Sequence, residues 1–598
     1  YALAYLPAGN YRFVINTGIT ELGSSGGSFT LDNETVKAEA AGTDIIVLND
    51  AEALAGELDL SLGNISFSEE DGKLTILYSK TDGSGQVVTA RLIDQSYDKC
   101  YRITSSGNNV EKYHLSVDIP ASRELKLVLK NLTITPEKAI APIQINGESQ
   151  VITYLEGKNK ISINKSEKSS SPAGISVAKG AKLTIDNELG QQGSIEVLNN
   201  TNVTRSGAAI GGNGEQDAGI IHIKGGTVSA TSASKGAAIG ASVGKSVEEI
   251  WISGGNVTAK SSGGAGIGTG GAFRNEERTG KIVIEGGTVN ASSWSGAGIG
   301  SGFGYVPGSS AIIAKIEIHG GMITAYSYDG ACIGSGRDSS SSVLIDGGTI
   351  CLVKKNNESG RNAAHIGKGY ESTQAPTDVT ITGGTICLIG ADRNIPRPII
   401  YGWEKAGEKW QKNTAKDGNG KPVYFTTADL TGIYENNTLV EKAGIEGSSY
   451  GFKDVRTDSN GKIYMYLPAS EAVKATFGGV EFTGKVEAGK DENVLERKET
   501  YIDYQREVLK NMALYDLEYA QSMMVETWTK IPAGGEVSLT GILDKQLESA
   551  TEITLYVRKA AAGSEAAGEA AGIKLPVRPK KPDPIQITNV TKDSYLIK

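Results

Sequence analysis

A six-fold internal repeat runs through the middle of this chain. Its first half reads IHIKGGTVSA at 221–230, IWISGGNVTA at 250–259 and IVIEGGTVNA at 282–291, then IEIHGGMITA at 316–325, VLIDGGTICL at 343–352 and VTITGGTICL at 379–388. The second half, G-A-x-I-G-x-G, places an isoleucine at Ile210, Ile239, Ile267, Ile299, Ile333 and Ile366. A recurring unit joined by connectors of unequal length folds only if each unit buries its apolar face on the next, so the repeat demands a stacked architecture.

Within a unit, apolar and polar residues alternate, which is the period of a strand. Ile282 and Ile284 share one face, Val283 and Glu285 the other. The Gly-Gly pair turns the chain because glycine accepts positive φ without penalty. Thr288–Ala291 resumes the alternation, and a short apolar step at 297–299 closes the unit. Three short strands joined by tight turns make one coil of a parallel β-helix, each coil rising by about 4.8 Å. The expected fold is all-β: a right-handed parallel β-helix (β-solenoid) flanked by small β-sandwich-like modules. Weaker copies at 125–134, 143–155, 174–185 and 194–203 extend the solenoid to 125–391. N-terminal β modules are expected at 1–124, with a turn at 82–85. The aromatic and proline-containing stretch 392–412 is the expected C-terminal cap, since open coil ends aggregate unless covered. A β module is expected at 413–500, with a hairpin at Ser459, Asn460 and Gly461. Another follows at 501–582, with a flexible Ala/Gly loop at 560–572 and a stiff proline-rich linker. The start of a further module is expected at 583–598. The chain opens and closes mid-strand in character and reads as part of something longer.

Glycine accounts for 77 of 598 residues and aromatics for only 6%, which suits tight-turned β structure. The net charge of −9 is spread over the whole length and argues against nucleic acid. No apolar run is long enough to span a membrane. Of the four cysteines, none has metal-ligand spacing. Cys351 and Cys387 hold equivalent repeat positions and stack if the register is right, as small core residues. The low count fits a secreted protein that does not depend on disulfides.

No nucleophile elbow, zinc-protease helix or lysine-bearing phosphate loop is present. Chemistry therefore has to come from stacking. The residues before the Gly-Gly pairs form an outward column: Lys224, Ser253, Glu285, His319, Asp346 and Thr382. Its neighbour reads His222, Trp251, Val283, Glu317, Leu344 and Thr380. Glu285, Glu317, His319 and Asp346 thus fall on neighbouring coils. Carboxylates around a histidine suit acid/base cleavage of an acidic polysaccharide, or calcium held against uronate groups; an exposed polar ladder is the plain alternative. The second candidate is aromatic: Trp294, Tyr326 and Tyr328 at the turn after the second strand, joined by Phe273, Phe303, Tyr305 and Tyr370 on the insertions. Flat rings with a polar handle stack on sugar faces, or else pack against neighbouring loops.

The G-G-x-V-x-A and G-A-G-I-G-S-G repeats resemble those of secreted and wall-attached β-helix proteins of Clostridia and other gut Firmicutes. Asn131-Leu132-Thr133 through Tyr154–Asn159 is similar to the opening of the carbohydrate-binding β-helix family of cellulolytic clostridia. The stretches YGFKDVRTDSNGKIYMYLP and IKLPVRPKKP are similar to modules that follow such helices in large surface proteins. The resemblance implies an extracellular protein, secreted or attached to the cell wall, whose partner is a polysaccharide or glycan. The leading expectation is a non-catalytic, adhesin-like carbohydrate binder without a cofactor, calcium being the one ion this chemistry would use. The alternatives are a structural stalk or filament subunit that self-associates or joins other surface proteins, and a polysaccharide lyase or glycoside hydrolase.

Overall fold

The computed structural model describes residues 57–575 except 82–86, 188–191, 215, 273–277, 305–311, 354–362, 371–376, 390–396, 407–408, 504–505, 514, 550–551 and 564; it also describes the backbone of short strand pairs within 9–49 and 587–597. The turn expected at 82–85 and the proline-rich linker lie outside the described residues.

The alternation seen in the repeat becomes three parallel ladders. In the first, Ala218–Ile223, Val247–Ile252, Arg278–Ile284, Ile312–Ile318, Ser340–Val353 and Thr377–Ile389 follow one another in register. The second begins after the Gly-Gly turn: Thr227–Ser232, Asn256–Ser261, Thr288–Ser293 and Met322–Ser327, continued by the later halves of the two long strands. The third stacks the isoleucine–glycine steps from Ile210–Gly211 to Ile366–Gly367. The chain is a parallel β-solenoid. Its inward residues form continuous columns, such as Ile221, Ile250, Ile282 and Ile316, all buried. Like side chains stacked at one spacing pack without voids, so each coil reproduces the interior of the last.

The ladder starts earlier than the expected boundary at 125. Glu57–Asp59 pairs with Cys100–Thr104, and that strand with Glu124–Lys130, all parallel. These coils lack the glycine punctuation, and hydrophobic alternation alone does not separate a coil from a sandwich strand. Strands Lys73–Thr81 and Val87–Gln95 form an antiparallel hairpin attached to Ile65–Glu70 at the N-terminal end. At the other end Ile400–Ala406 follows Ile366–Gly367 in the third ladder and folds back on Lys409–Thr414. Both ends of the solenoid therefore carry antiparallel strands, which blunt the unpaired edges.

The 413–500 region is a six-stranded sheet in the order Gly444–Ile445, Ser470–Phe477, Val480–Val486, Asn493–Arg497, Val423–Asp429, Lys462–Pro468. The hairpin expected around Ser459–Gly461 does not form. Lys462–Pro468 pairs with Val423–Asp429, and Asp458 closes a local turn by accepting from the backbone N–H groups of Asn460 and Lys462 at 2.8 Å and from the Tyr464 hydroxyl at 2.6 Å. The residues before the turn are engaged elsewhere, because segment 450–456 lies along the Gly-Gly turns of the last coils. Tyr450 sits in that seam. Its hydroxyl donates to the Gly384 carbonyl at 2.8 Å and accepts from the Tyr466 N–H at 3.2 Å. Tyr450→Phe leaves two buried backbone groups unsatisfied and is expected to cost about 2 kcal/mol, read as a lower denaturation midpoint for the seam.

The 501–582 region has two small sheets over one core of Leu509, Leu517, Ile531, Leu543 and Leu555. It also contains a helix, Thr540–Ser549, that the strand-like reading missed. The expected loop at 560–572 is shorter than supposed, because Ala571–Leu575 pairs with Ile553–Lys559 and buries Leu575.

Candidate functional site

The two candidate sets occupy opposite ends of the second ladder. The acidic column precedes the Gly-Gly turn and the aromatic cluster follows the next strand. A six-residue strand such as Thr288–Ser293 separates them by about 20 Å.

Three of the four acidic-column candidates meet. The Nδ1 of His319 is 2.8 Å from Asp346 Oδ1, and its Nε2 is 4.0 Å from Glu317 Oε2. Glu317 is bound by the Lys315 ammonium at 2.7 Å, which holds its carboxyl below the usual range, with Lys281 and His319 assisting. Lys281 is in turn bound to Glu249 at 2.6 Å. Among the described residues, no hydrogen bond or ion pair joins Glu285 to this group. The column is thus a chain of neutralising pairs. Both ring nitrogens of His319 face carboxylates, so the ring is braced between two anions. Among the described residues no group of three or more His, Cys, Asp or Glu side chains is arranged to hold a metal ion.

On the coils of Gly225 and Gly254, ahead of that of Glu285, the same columns hold a pair that was not singled out as a candidate. His222 and Trp251 stack at 4.0 Å between centroids, 3° from parallel, and His222 Nε2 lies 2.8 Å from Ser253 Oγ. Burial, then the Lys182 and Lys224 ammoniums, hold His222 below the ordinary histidine value of about 6.5. Burial alone does the same for His114. A histidine with a depressed folded value leaves the unfolded chain to take up the proton first. Stability is therefore full above about pH 6.5 and declines as pH falls below it, until the folded value is reached. The denaturation midpoint should drop between about pH 7.5 and about pH 5.5, and His222→Phe, which keeps a stacked ring, should reduce that drop.

The aromatic candidates converge. Trp294 and Tyr328 occupy equivalent turns of adjacent coils and stack at 4.3 Å, 16° from parallel, with Trp294 56% exposed. Tyr326 lies on the preceding strand in register with Ser292 and Val353; it is half-buried, and burial raises its phenol above the usual value. Beneath the rings the turns are braced by buried serines: Ser261, Ser293 and Ser327 donate to the carbonyls of Gly236, Gly264 and Gly296 at 2.7–2.9 Å.

The insertions add a regular feature. The fourth residue after each corner isoleucine donates its N–H to the turn of the preceding coil: Val243 to Ser206, Gly271 to Lys235, Phe303 to Gly263, Arg337 to Ser295 and Tyr370 to Asp329. The base of each insertion is thus an ordered step beside the aromatic turns. It sets Lys235 Nζ 5.6 Å from the Phe303 ring centre and the Arg337 guanidinium 5.8 Å from that of Tyr370. Gly271 lies between Lys235 and Phe303; with no side chain of its own, it lets the ring lie over it. Lys235 and Arg337 were missed in the sequence, although counting four residues from each isoleucine brings Arg337 to the edge. Phe273 and Tyr305 lie outside the described residues.

The cysteines depart from expectation in one respect. Cys332 is buried, but Cys351 and Cys387 face outward in register, with sulfurs 3.2 Å apart under the 413–500 sheet. All four are free thiols.

Segments 221–243, 250–271, 282–303 and 316–337 each match the model of a family described as a beta helix repeat. The class that fold and repeat define together is a β-helix repeat protein, and its last two matched units contain Glu285, Trp294, Glu317, His319, Tyr326 and Tyr328, while Asp346 lies on the coil that follows. No curated protein and no solved structure matches the chain. Among the described residues no helix is long and apolar enough to cross a membrane.

Proposed function

We propose that this protein is a non-catalytic, adhesin-like carbohydrate binder of the extracellular space, secreted or attached to the cell wall, and that the aromatic edge is its glycan contact. The observation that supports this reading is the half-exposed Trp294 stacked on Tyr328, with Phe303 and Tyr370 on the adjoining steps. A stacked ring is held in one orientation and loses little entropy when a sugar ring lies on it. Lys235 and Arg337 add donors at the rim. The column of Glu317, His319 and Asp346 supports a lyase or hydrolase reading less well, because its charges are engaged with one another. The antiparallel strands at both ends of the solenoid weigh against a filament built by stacking coil ends.

The test is retention of the full chain on plant and mucin polysaccharides, with calcium and with a chelator. Saturable retention on a defined glycan supports the reading. Absence of retention on every polymer in both conditions would overturn it.

A further inference from the structure

The Gly-Gly turns of the last three coils hold a peptide. Gly384 N–H donates to the Gly451 carbonyl at 2.8 Å and Gly348 N–H to the Lys453 carbonyl at 2.7 Å, while Gly321 N–H donates to the Asp454 carboxylate at 2.9 Å. The first residue of the following strand adds a second hold: Thr349 Oγ1 donates to the Asp454 carbonyl at 2.8 Å, and Thr385 Oγ1 accepts from the Tyr464 N–H at 2.8 Å. Segment 451–454 thus runs back along the solenoid, engaging one coil after another. At Arg456 it turns away, its N–H bonding Thr349. The glycines it covers, from Gly320 to Gly384, are buried.

The three preceding coils repeat this surface without the segment. Gly226, Gly255 and Gly287 have φ of 79°, 80° and 84°, against 89°, 90° and 82° at Gly321, Gly348 and Gly384, so their N–H groups take the same direction. Among the described residues these three N–H groups have no acceptor. Thr227, Asn256 and Thr288 stand where Thr349 and Thr385 stand and are exposed; Gly225, Gly254, Gly255, Gly286 and Gly287 are half-exposed, and Gly226 is buried beside its exposed neighbours Lys224 and Thr227. The second glycine of each turn offers an N–H donor, and in the occupied part the carbonyl of Thr382, just before its pair, also accepts from the Gly451 N–H at 2.8 Å. The row of N–H groups calls for acceptors at the coil spacing, and an extended chain presenting carbonyls and a carboxylate supplies them.

We propose that the turns at Gly226, Gly255 and Gly287 form a docking strip for an extended peptide segment of a partner protein, held through its main-chain carbonyls and an acidic side chain. The argument for that occupant is continuity: the strip prolongs the seam in which 451–454 already lies. The proposal does not depend on glycan binding at the aromatic edge, which faces the opposite end of the second ladder.

The test uses the full chain and a fluorescein-labelled peptide of residues 449–456, SYGFKDVR. Saturable binding is expected, with amide exchange slowed at 224–227, 253–256 and 285–288. The combined variant Thr227→Val, Asn256→Val and Thr288→Val keeps strand-compatible residues at exposed positions and should weaken binding roughly tenfold or more. Three results would overturn the proposal: no binding, protection confined to the coils of Gly321, Gly348 and Gly384, or unchanged affinity in the folded triple variant. Protection of the same turns by polygalacturonate but not by the peptide would assign the strip to a polysaccharide and overturn it as well.

Discussion

Gly300→Ala is expected to open the middle of the solenoid. Gly300 sits at φ 137°, in the corner step that recurs at Gly240, Gly268 and Gly334. That region of backbone space is closed to residues with a Cβ, at a cost of about 1–3 kcal/mol. A Cβ there would also lie 2.0 Å from the Gly334 carbonyl oxygen and 2.9 Å from its carbon. The obstacle is backbone of the next coil, fixed in register by Ile299 opposite Ile333, so relief requires separating the coils. The combined loss should exceed about 4 kcal/mol. Gly420 is the control: its φ is 78° but nothing lies within 4 Å of the added Cβ, so Gly420→Ala should cost about 1 kcal/mol. Denaturant midpoints measure the difference, with amide exchange over 282–337 to locate it, since a solenoid unfolds by neighbouring coils. A wild-type midpoint for Gly300→Ala would contradict the close approach of the corners.

Trp294→Ala is expected to remove most of the glycan affinity while leaving the fold intact. The ring is more than half exposed and its main partner is another ring, so truncation leaves no buried cavity. An exposed aromatic at the centre of a contact contributes about 2 kcal/mol, roughly a thirty-fold loss of affinity. Tyr328→Ala should lose less, because Trp294 keeps its exposed face but not its orientation. Titration of a retained polysaccharide against both variants, beside Asp346→Asn, separates the two candidate clusters. Affinity lost with Trp294 and kept with Asp346→Asn places the contact on the aromatic edge; the reverse places it on the column.

Much of the architecture was legible in the repeat. Alternation names the strands, the glycine pairs name the turns, and the 13 or 14 residues from pair to isoleucine in four consecutive coils set the register, which the ladders follow until the shift at Asp346, opposite Gly383 and not Thr382. The register also brought Trp294 beside Tyr328 and His319 beside Glu317 and Asp346, but it grouped Glu285 with them, and no hydrogen bond or ion pair among the described residues joins it there. The earlier coils from Glu57 escaped notice because their turns use residues other than the glycine pair; Asn131, for example, takes positive φ at 48°. The helix Thr540–Ser549 escaped because its pattern competes with surrounding strand signals.

By itself, then, the sequence determined the coil, its stacking order and the faces on which side chains fall, because these depend on periodicity and on glycine alone. The tertiary structure decided everything that depends on approach between distant segments. It closed His319 between Asp346 and Glu317, and laid Lys235 and Arg337 against rings on other coils. It also brought segment 450–456 onto turns 66 to 133 positions away. Local pattern carries no information about which acceptor a turn N–H will meet; that follows only from where the packed core lets a remote chain lie.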